Sequence, residues 1–300
     1  MKTKTYLFAL MAMAFTLGSC SDNENGIGIE TSKYITVSTS IGNMTRVATD
    51  ANGGQTFEEG DEISVYAWTG APTVAPETSE RVVNNAINKL TNGSWISTPQ
   101  MLWKNNREKH YFIGVYPTAA ISDLSAGEYT FNANKQTESD LLVAVNPDGL
   151  SYSADAQQTV PLTFTHVMSK LAVNLTYKNQ WGGIPTVEKV VVGNAAKEAT
   201  INYLTKVVTP STTAKEDFSL PEITENTKYV SVIIPQEDVK QLTIVIGGKN
   251  FVYDNGTPFK LESGKITTVN LEVGRDEIKL GDVKITDWED GSTFSGEAIN

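Results

Sequence analysis

The chain has 300 residues, of which 40% are hydrophobic and 20% are charged, so it can bury a core and is not broadly disordered. Its formal net charge is -11 at pH 7, and an acidic protein repels phosphate backbones, which argues against nucleic acid as a partner. The single cysteine, Cys20, leaves no second thiol for a disulfide within the chain. The stability of the fold must therefore come from buried side chains.

The N-terminal segment has the pattern of a secretory signal peptide. Lys2 and Lys4 precede an apolar run over 6–17 and then small residues, and the run is too short to cross a membrane. It ends at Cys20, directly after "LGS", and this matches the lipobox of bacterial lipoproteins, in which the cysteine is lipidated and becomes the mature N-terminus. We predict a signal peptide over 1–19 and a lipidated flexible tether over 20–32. An ordinary signal peptide that happens to contain a cysteine is the alternative.

From residue 34 onward most apolar segments alternate with a period of two, which is typical of strands with one buried face. The clearest examples are "YITVSTSI" at 34–41, "KLAVNLTY" at 170–177 and "TVNLEV" at 268–273. Gly, Pro, Asn or Asp stands near most strand ends, and many short strands with frequent turns predict an all-β sandwich architecture. Helical periodicity is scarce, although "VVNNAINKL" at 82–90 and "HVMSKL" at 166–171 each allow a short helical turn.

The length of the mature chain exceeds that of a typical single sandwich. We therefore predict two sandwich domains in tandem, an N-terminal one over 33–155 and a C-terminal one over 156–300. The polar stretch "NPDGLSYSADAQQT", residues 146–159, is the predicted linker between them.

Residues that could carry catalysis or bind a metal are few. His110 and His166 are far apart, and no cysteine or second nearby histidine completes a metal site around either. The acidic segment "FEEGDE", 57–62, offers paired carboxylates of the kind glycosidases use, but a turn that leads into a strand explains it better. The sequence therefore predicts no enzyme activity, no cofactor and no metal.

The tryptophans allow a second kind of function. Indole rings on a surface stack against sugars, although in a β-sandwich they more often lie in the core. A surface glycan-binding lipoprotein is therefore the alternative function. The five tryptophans are Trp68, Trp95, Trp103, Trp181 and Trp288.

Several segments, taken together and in order, resemble the fimbrillin-like lipoproteins, the subunits of type V pili in Gram-negative gut and oral bacteria. The resemblance covers nearly the whole chain. Its pieces are the lipobox at Cys20, "MTRVAT" at 44–49, "FEEGDEISVYAW" at 57–68, "ESDLLVAV" at 138–145, "LTFTHVMSKLAVNL" at 162–175, "FKLESGKITTVNLEV" at 259–273 and "VKITDWEDG" at 283–291.

The resemblance implies two transthyretin-like β-sandwich domains in tandem and export as a lipoprotein. It also implies assembly into a fimbrium, in which other pilin subunits are the partners and β-strands are exchanged. The protein would then be a precursor anchored to outer-membrane lipid through Cys20, and afterwards part of a fimbrium on the cell surface. The resemblance does not distinguish a stalk, tip or anchor subunit, so an adhesive tip role with a host or bacterial surface ligand stays an alternative.

Two sites follow from the same resemblance. An arginine-specific protease cuts family members in the loop after the first strand, and the matching bond here joins Arg46 to Val47. The donor strand of the family lies at the C-terminal end, which corresponds to 277–300. A last strand that stays in its own sandwich is the alternative for this segment. The donor-strand candidates are Val283, Ile285 and Trp288.

Overall fold

The computed structural model of the protein describes residues 34–42, 56–152, 159–254 and 256–288. The predicted signal peptide and tether lie outside these residues. The strands in chain order are β1 (Thr36–Ile41), β2 (Glu62–Thr69), β3 (Val83–Thr91), β4 (Ser94–Thr98), β5 (His110–Tyr116), β6 (Gly127–Thr130), β7 (Leu142–Leu150), β8 (Thr159–His166), β9 (Ser169–Tyr177), β10 (Val187–Ala196), β11 (Glu198–Asn202), β12 (Val207–Pro210), β13 (Lys215–Leu220), β14 (Glu222–Thr224), β15 (Lys228–Ile233), β16 (Gln241–Ile246), β17 (Lys249–Asp254), β18 (Lys265–Val273) and β19 (Ile278–Asp287). The described helical elements are one α-helical turn, α1 (Gln136–Ser139), and the 3-10 turns Thr78–Glu80 and Asn179–Trp181. The fold is all-β, as the sequence predicts.

The first half of the described chain forms a seven-stranded sheet in the order β1-β8-β7-β5-β2-β3-β4. β1 runs parallel to β8, and the other neighbours are antiparallel. The indole N–H of Trp95 on β4 donates to the hydroxyl of Thr39 on β1 at 3.0 Å, so the two outer strands of the sheet meet. The sheet therefore curls around one apolar core. Its members include Ile35, Ile63, Trp103, Phe112, Leu162 and Phe164.

The second half forms a sandwich of two sheets. One has four strands in the order β13-β10-β16-β17, and the other has five in the order β14-β15-β9-β18-β19. Their inner faces share one core, to which Val190 and Ile244 contribute from the first sheet and Val173 and Leu271 from the second. The inward face predicted from the alternation at 171–177 and 269–273 is confirmed for its aliphatic side chains, which are all buried, whereas Tyr177 at the end of β9 is partly buried.

A small third sheet connects the two halves. It has the order β12-β11-β6, so a strand from residues 127–130 pairs with one from 198–202. The backbone N–H of Phe131 donates to the carbonyl of Lys197, and that of Tyr203 donates to the carbonyl of Leu124, each at 2.8 Å. The outer face of the seven-stranded sheet also packs into the core of the sandwich, through Tyr66 and Trp68 among others. The described residues, 34–288 with their gaps, accordingly belong to one compact unit.

Three local predictions are wrong. Residues 146–150 of the predicted linker continue β7, where Asn146 pairs with Phe112 and Leu150 with His110. The segment 82–90 is largely strand β3, and 166–171 carries the end of β8 and the start of β9 rather than a helical turn. Propensity at these positions is weak, and strand pairing across the sheet decides their structure. The tandem division into two transthyretin-like domains stays a prediction, and the pairing of β8 with β7 favours a boundary after His166 over one at 155/156.

Candidate functional site: two edge strands

β1 is the terminal strand of the seven-stranded sheet, and its side chains belong to the core. Its ladder with β8 runs from Thr36 opposite Thr159 to Ile41 opposite Phe164. Ile35, just before the strand, is 1% exposed and Val37 is 6% exposed, because the alternation aims both into the curled sheet. The alternation predicts one inward face of Ile35, Val37, Thr39 and Ile41; this is confirmed at Ile35 and Val37, whereas Thr39 and Ile41 are partly buried.

The free side of β1 faces a groove instead of another strand. The groove has a volume of about 750 Å³ and lies between β1 and the β3–β4 hairpin. Among the described residues, no strand ladder joins β1 to β4. The two strands meet through the Trp95–Thr39 hydrogen bond, and nearby the backbone N–H of Ile35 donates to the carbonyl of Met101 at 2.9 Å. β1 is therefore held by one ladder and a few single contacts.

Phe57, one residue after the described chain resumes at Thr56, lines this groove. Its ring packs edge-on against three aromatic rings, with centroids 5.1–5.4 Å apart, in the geometry that aromatic pairs prefer. The three partners are Trp95, Tyr116 and Phe164. Burial raises the pKa of the Tyr116 phenol, and the nearby Asp61 raises it further. The groove thus has a fixed aromatic floor with β1 as one wall.

β19 is the terminal strand of the five-stranded sheet, and it differs from β1. It pairs antiparallel with β18 from Val273 opposite Ile278 to Lys265 opposite Asp287. A bulge falls between the pair Leu271–Leu280 and the pair Asn270–Asp282, so Gly281 is the extra residue. A Cβ at Gly281 would lie 3.2 Å from the carbonyl oxygen of Asn270, which explains why glycine suits this position.

The bulge keeps the apolar side chains of β19 on one face. Opposite residues of a ladder lie on the same side of a sheet, so the partners of the inward-facing Thr267, Val269, Leu271 and Val273 also face the core side. These partner side chains lie at the edge of the sheet and are incompletely covered: Leu280, Val283 and Ile285 are 37–39% exposed. We call this set the aliphatic stripe of β19. Its members are Ile278, Leu280, Val283 and Ile285.

Trp288 follows β19 and is buried, at 8% exposure. Its ring stacks on the imidazole of His166 with centroids 3.9 Å apart and planes 8° apart, and the ammonium of Lys170 lies 4.1 Å from its ring centroid. Its backbone N–H donates to the carbonyl of Gly264 at 2.9 Å. The three donor-strand candidates therefore differ: Val283 and Ile285 are half-exposed, whereas Trp288 is packed against its own chain.

The other site residues named from the sequence lie outside the described residues. These are Cys20, Arg46 and Val47. In the chain, Arg46 and Val47 fall between β1, which ends at Ile41, and Thr56, where the described chain resumes, and the cleavage site stays a prediction.

The histidines and carboxylates considered for catalysis have structural roles. His110 is fully buried, where its Nε2 accepts from the backbone N–H of Lys104 at 3.0 Å and its Nδ1 donates to the carbonyl of Glu108 at 3.1 Å. Burial lowers its pKa, so it is neutral in this environment. The acidic segment 57–62 forms a turn in which Asp61 accepts from the backbone N–H of Glu58 at 2.7 Å.

Three of the five tryptophans are buried: Trp68, Trp103 and Trp288. Trp95 and Trp181 are partly exposed, and their indole N–H groups donate to Thr39 and to the carbonyl of Val273. The described part of the chain contains no cluster of three His, Cys, Asp or Glu residues that could hold a metal. Nor does a helix in those ranges combine the length and apolarity needed to cross a membrane.

Sequence reasoning missed two members of the aliphatic stripe, Ile278 and Leu280. The segment "IKLGDVKI" contains the signal, because it alternates with period two up to Leu280 and again from Val283. Gly281 adds one residue between the two halves and hides the common face. A glycine at such a break in alternation indicates a bulge.

These features define an all-β protein whose distinctive parts are two edge strands, one made of core side chains and one carrying a half-covered apolar stripe. The fimbrillin-like family model matches residues 45–288. The chain therefore belongs to the fimbrillin-like family, which is a family of fimbrial proteins of the cell surface. No curated protein sequence matches it.

Solved structures resemble the fold at low sequence identity. A candidate cell adhesion protein of Bacteroides uniformis is 18% identical with a TM-score of 0.64, and covers 85% of this chain and 99% of its own. One of Bacteroides ovatus is 18% identical with a TM-score of 0.62, over 86% and 98% of the two chains. A fimbrial protein of Bacteroides vulgatus is 13% identical with a TM-score of 0.52, over 84% and 99%. At these identities the likeness establishes the fold.

Proposed function

We propose that this protein is a non-enzymatic structural subunit of a fimbrium, exported as a lipoprotein through Cys20 and assembled by protease-triggered exchange of β-strands. Family membership supports the fimbrial role. The observation that carries the mechanism is the position of β1: it is an edge strand, Val37 on it and Ile35 just before it are buried in the core, and the proposed cleavage site follows it.

Before cleavage β1 is covalently continuous with the rest of the sheet. Ile35 and Val37 are buried, and two aliphatic side chains contribute about 3–6 kcal/mol at ordinary transfer free energies. Cutting after Arg46 leaves this burial in place but makes the strand exchangeable. Once β1 leaves, β8 presents unpaired backbone groups beside an apolar groove, and such an edge favours an incoming strand.

The proposed incoming strand is β19 of a neighbouring subunit. Its aliphatic stripe is half-exposed in the monomer, so moving it into a neighbour's core buries additional apolar surface. Val283 and Ile285 are the proposed insertion residues, and the stripe adds Leu280 to them. The incoming strand makes contacts similar to those of β1, so the free energy of the exchange is close to zero. Loss of the cleaved N-terminal segment then drives the exchange forward.

The alternative, a surface glycan-binding lipoprotein, has less support. Sugar stacking requires exposed aromatic faces, and three of the five tryptophans are buried. A glycan-binding protein would also keep its lipid and first strand. The N-terminal residue and mass of the mature protein from its native cell separate the two functions, because a pilin begins at Val47 and a glycan-binding lipoprotein at lipidated Cys20.

The proposal is tested with the Arg46→Ala variant. Treated with an arginine-specific protease, the wild type should form ladders of polymers on an unboiled gel, whereas Arg46→Ala should stay monomeric. Arg107→Ala is the matched control, since Arg107 is an exposed arginine in a turn and its loss should leave the ladders intact. Polymerisation of Arg46→Ala at the wild-type rate would exclude this residue from the mechanism.

The same protease can also cleave after the remaining arginines, to an extent that depends on their exposure. Arg81 is buried at 8% exposure, and its guanidinium donates to the carbonyls of Ile121 and Ser122 at 2.6 Å each, so it should resist cleavage. Arg275 is exposed, but its backbone N–H donates to Gln180 at 3.1 Å. We expect cleavage first at Arg46 and more slowly at Arg107 and Arg275.

A further inference from the structure

The end of β19 is attached to its own chain more firmly than the strand itself. Along the strand the aliphatic stripe is about 37–39% exposed at Leu280, Val283 and Ile285. Trp288, one residue beyond the strand, is 8% exposed. Among the described residues 278–288, the most buried side chain therefore lies just beyond the strand, where it can control whether the strand separates from β18.

The site that receives Trp288 is built from several elements. His166 ends β8, Lys170 lies on β9, and Gly264 precedes β18. The stacked imidazole is fixed from its other side, since Nδ1 of His166 donates to the carboxylate of Asp140 at 2.8 Å. The indole thus contacts both a positioned aromatic ring and a cation, and both contacts are favourable for Trp.

The site also joins the two halves of the molecule. β8 belongs to the seven-stranded sheet, whereas β9, β18 and β19 belong to the five-stranded sheet. Trp288 on His166 therefore ties the C-terminal strand to the same strand, β8, that pairs with β1. The ion pair between Lys265 and Asp287 lies beside this contact and holds the last residue of the ladder.

We propose that Trp288 is an intramolecular latch: its stacking on His166 and Lys170 keeps β19 paired with β18 of its own chain, and its withdrawal is the step that frees the strand for a neighbouring copy. This rests on the proposed donor role of β19. Trp288 is then a positioning residue that restrains the donor, while the stripe supplies the inserted side chains. The latch prevents subunits from exchanging strands before assembly.

The test is hydrogen exchange of the full-length, uncleaved monomer, measured by mass spectrometry on peptides from β19 and β9. In Trp288→Ala the amides of β19 should exchange about 100-fold faster, while those of central strand β9 stay at the wild-type rate. Trp288→Phe retains an aromatic ring and should fall between the two. Trp95→Ala removes a tryptophan from the distant β4 and should leave β19 within about two-fold of wild type.

Two results overturn the latch. One is wild-type exchange of β19 in Trp288→Ala, and the other is equal acceleration in β9 and β19, which would make Trp288 a support of the whole fold. Should Trp288→Ala fail to fold, Trp288→Phe decides in its place: selective acceleration of β19 upholds the latch, and exchange at the wild-type rate overturns it.

An assay of polymerisation after protease treatment distinguishes the latch hypothesis from the hypothesis that β19 is the donor strand. If both hold, the variant with faster β19 exchange should also form ladders faster than wild type after arginine-specific cleavage. Faster exchange of β19 without polymers from either protein would uphold the intramolecular latch but overturn the assembly step and the donor role with it. Unchanged exchange with normal ladders would overturn the latch and leave the donor role standing.

Discussion

β1 and β19 are both edge strands, yet they are attached in opposite ways. β1 has six residues, a parallel neighbour, and two core side chains at its start. β19 has ten residues, an antiparallel neighbour, and a stripe that remains about two-fifths exposed. The first strand is held mainly by side-chain burial and the second mainly by its backbone ladder and the tryptophan beyond its end.

This difference determines which interactions must be broken before each strand can dissociate from its sheet. Removing β1 exposes core surface, so it requires a cut and a replacement of similar apolarity. Removing β19 exposes less surface per side chain than removing β1, because its stripe is already 37–39% exposed at Leu280, Val283 and Ile285; it requires the loss of a ladder and of one terminal contact. In an exchange between copies of this chain, β19 of one copy can replace β1 of another. The groove left by β1 is apolar, and the aliphatic stripe of β19 is incompletely covered in its own chain.

The largest difference in unfolding free energy should appear when valine is replaced by aspartate on β1 and, separately, on β19. Val37→Asp buries an unpaired carboxylate and should lower the free energy of unfolding by about 4 kcal/mol or more. Val283→Asp, at 39% exposure, should lower it by less than about 1 kcal/mol. Urea unfolding measures both. Equal losses would show that the two strands are attached alike.

An intermediate effect is expected when residues 281–300 are deleted. The truncated chain should remain a folded monomer, with unfolding free energy reduced by about 3 kcal/mol, mostly from the loss of Trp288 packing. It should also fail to polymerise after protease treatment. Circular dichroism and thermal unfolding check the first expectation, and a chain that cannot fold would place β19 in its own core and remove it as the donor.

The smallest effect should come from single hydrogen bonds near each strand. Trp95→Phe removes the indole N–H that binds Thr39 of β1 and should cost about 1 kcal/mol, with faster amide exchange in β1. Trp181→Phe removes the N–H that binds the carbonyl of Val273, which keeps a bond from the N–H of Lys178. It should leave β1 unchanged. Loosening of β1 by Trp181→Phe would contradict independent attachment of the strands.

Local pattern was sufficient to predict the buried faces. Period-two alternation identifies the inward side of β9 and β18, and Val173 and Val269 are fully buried as it requires. The same reasoning made Ile35 and Val37 core residues, and it made the acidic segment 57–62 a turn. These features depend on neighbours within a few residues of each other.

Pairing between distant segments could not be predicted in this way. Nothing in the sequence near β1 specifies a parallel partner at 159–166, because register depends on which faces meet in the finished sheet. The same limit explains β3, whose asparagine-rich sequence has little strand propensity, and residues 146–150, which look like a loop but continue β7. The stack of Trp288 on His166 likewise joins residues that share no local pattern.

The parallel pair formed by β1 also determines the order in which the chain can fold. Thr36 and Thr159 are separated by 123 positions, so β1 has no partner until most of the first half of the chain is available. Contacts of long sequence separation require closure of a long loop and form slowly. β1, the first of the described strands, is therefore synthesised before its partner strand and is among the last elements to be secured. Its departure from an already complete sheet reverses a late folding step and leaves the rest of the core in place.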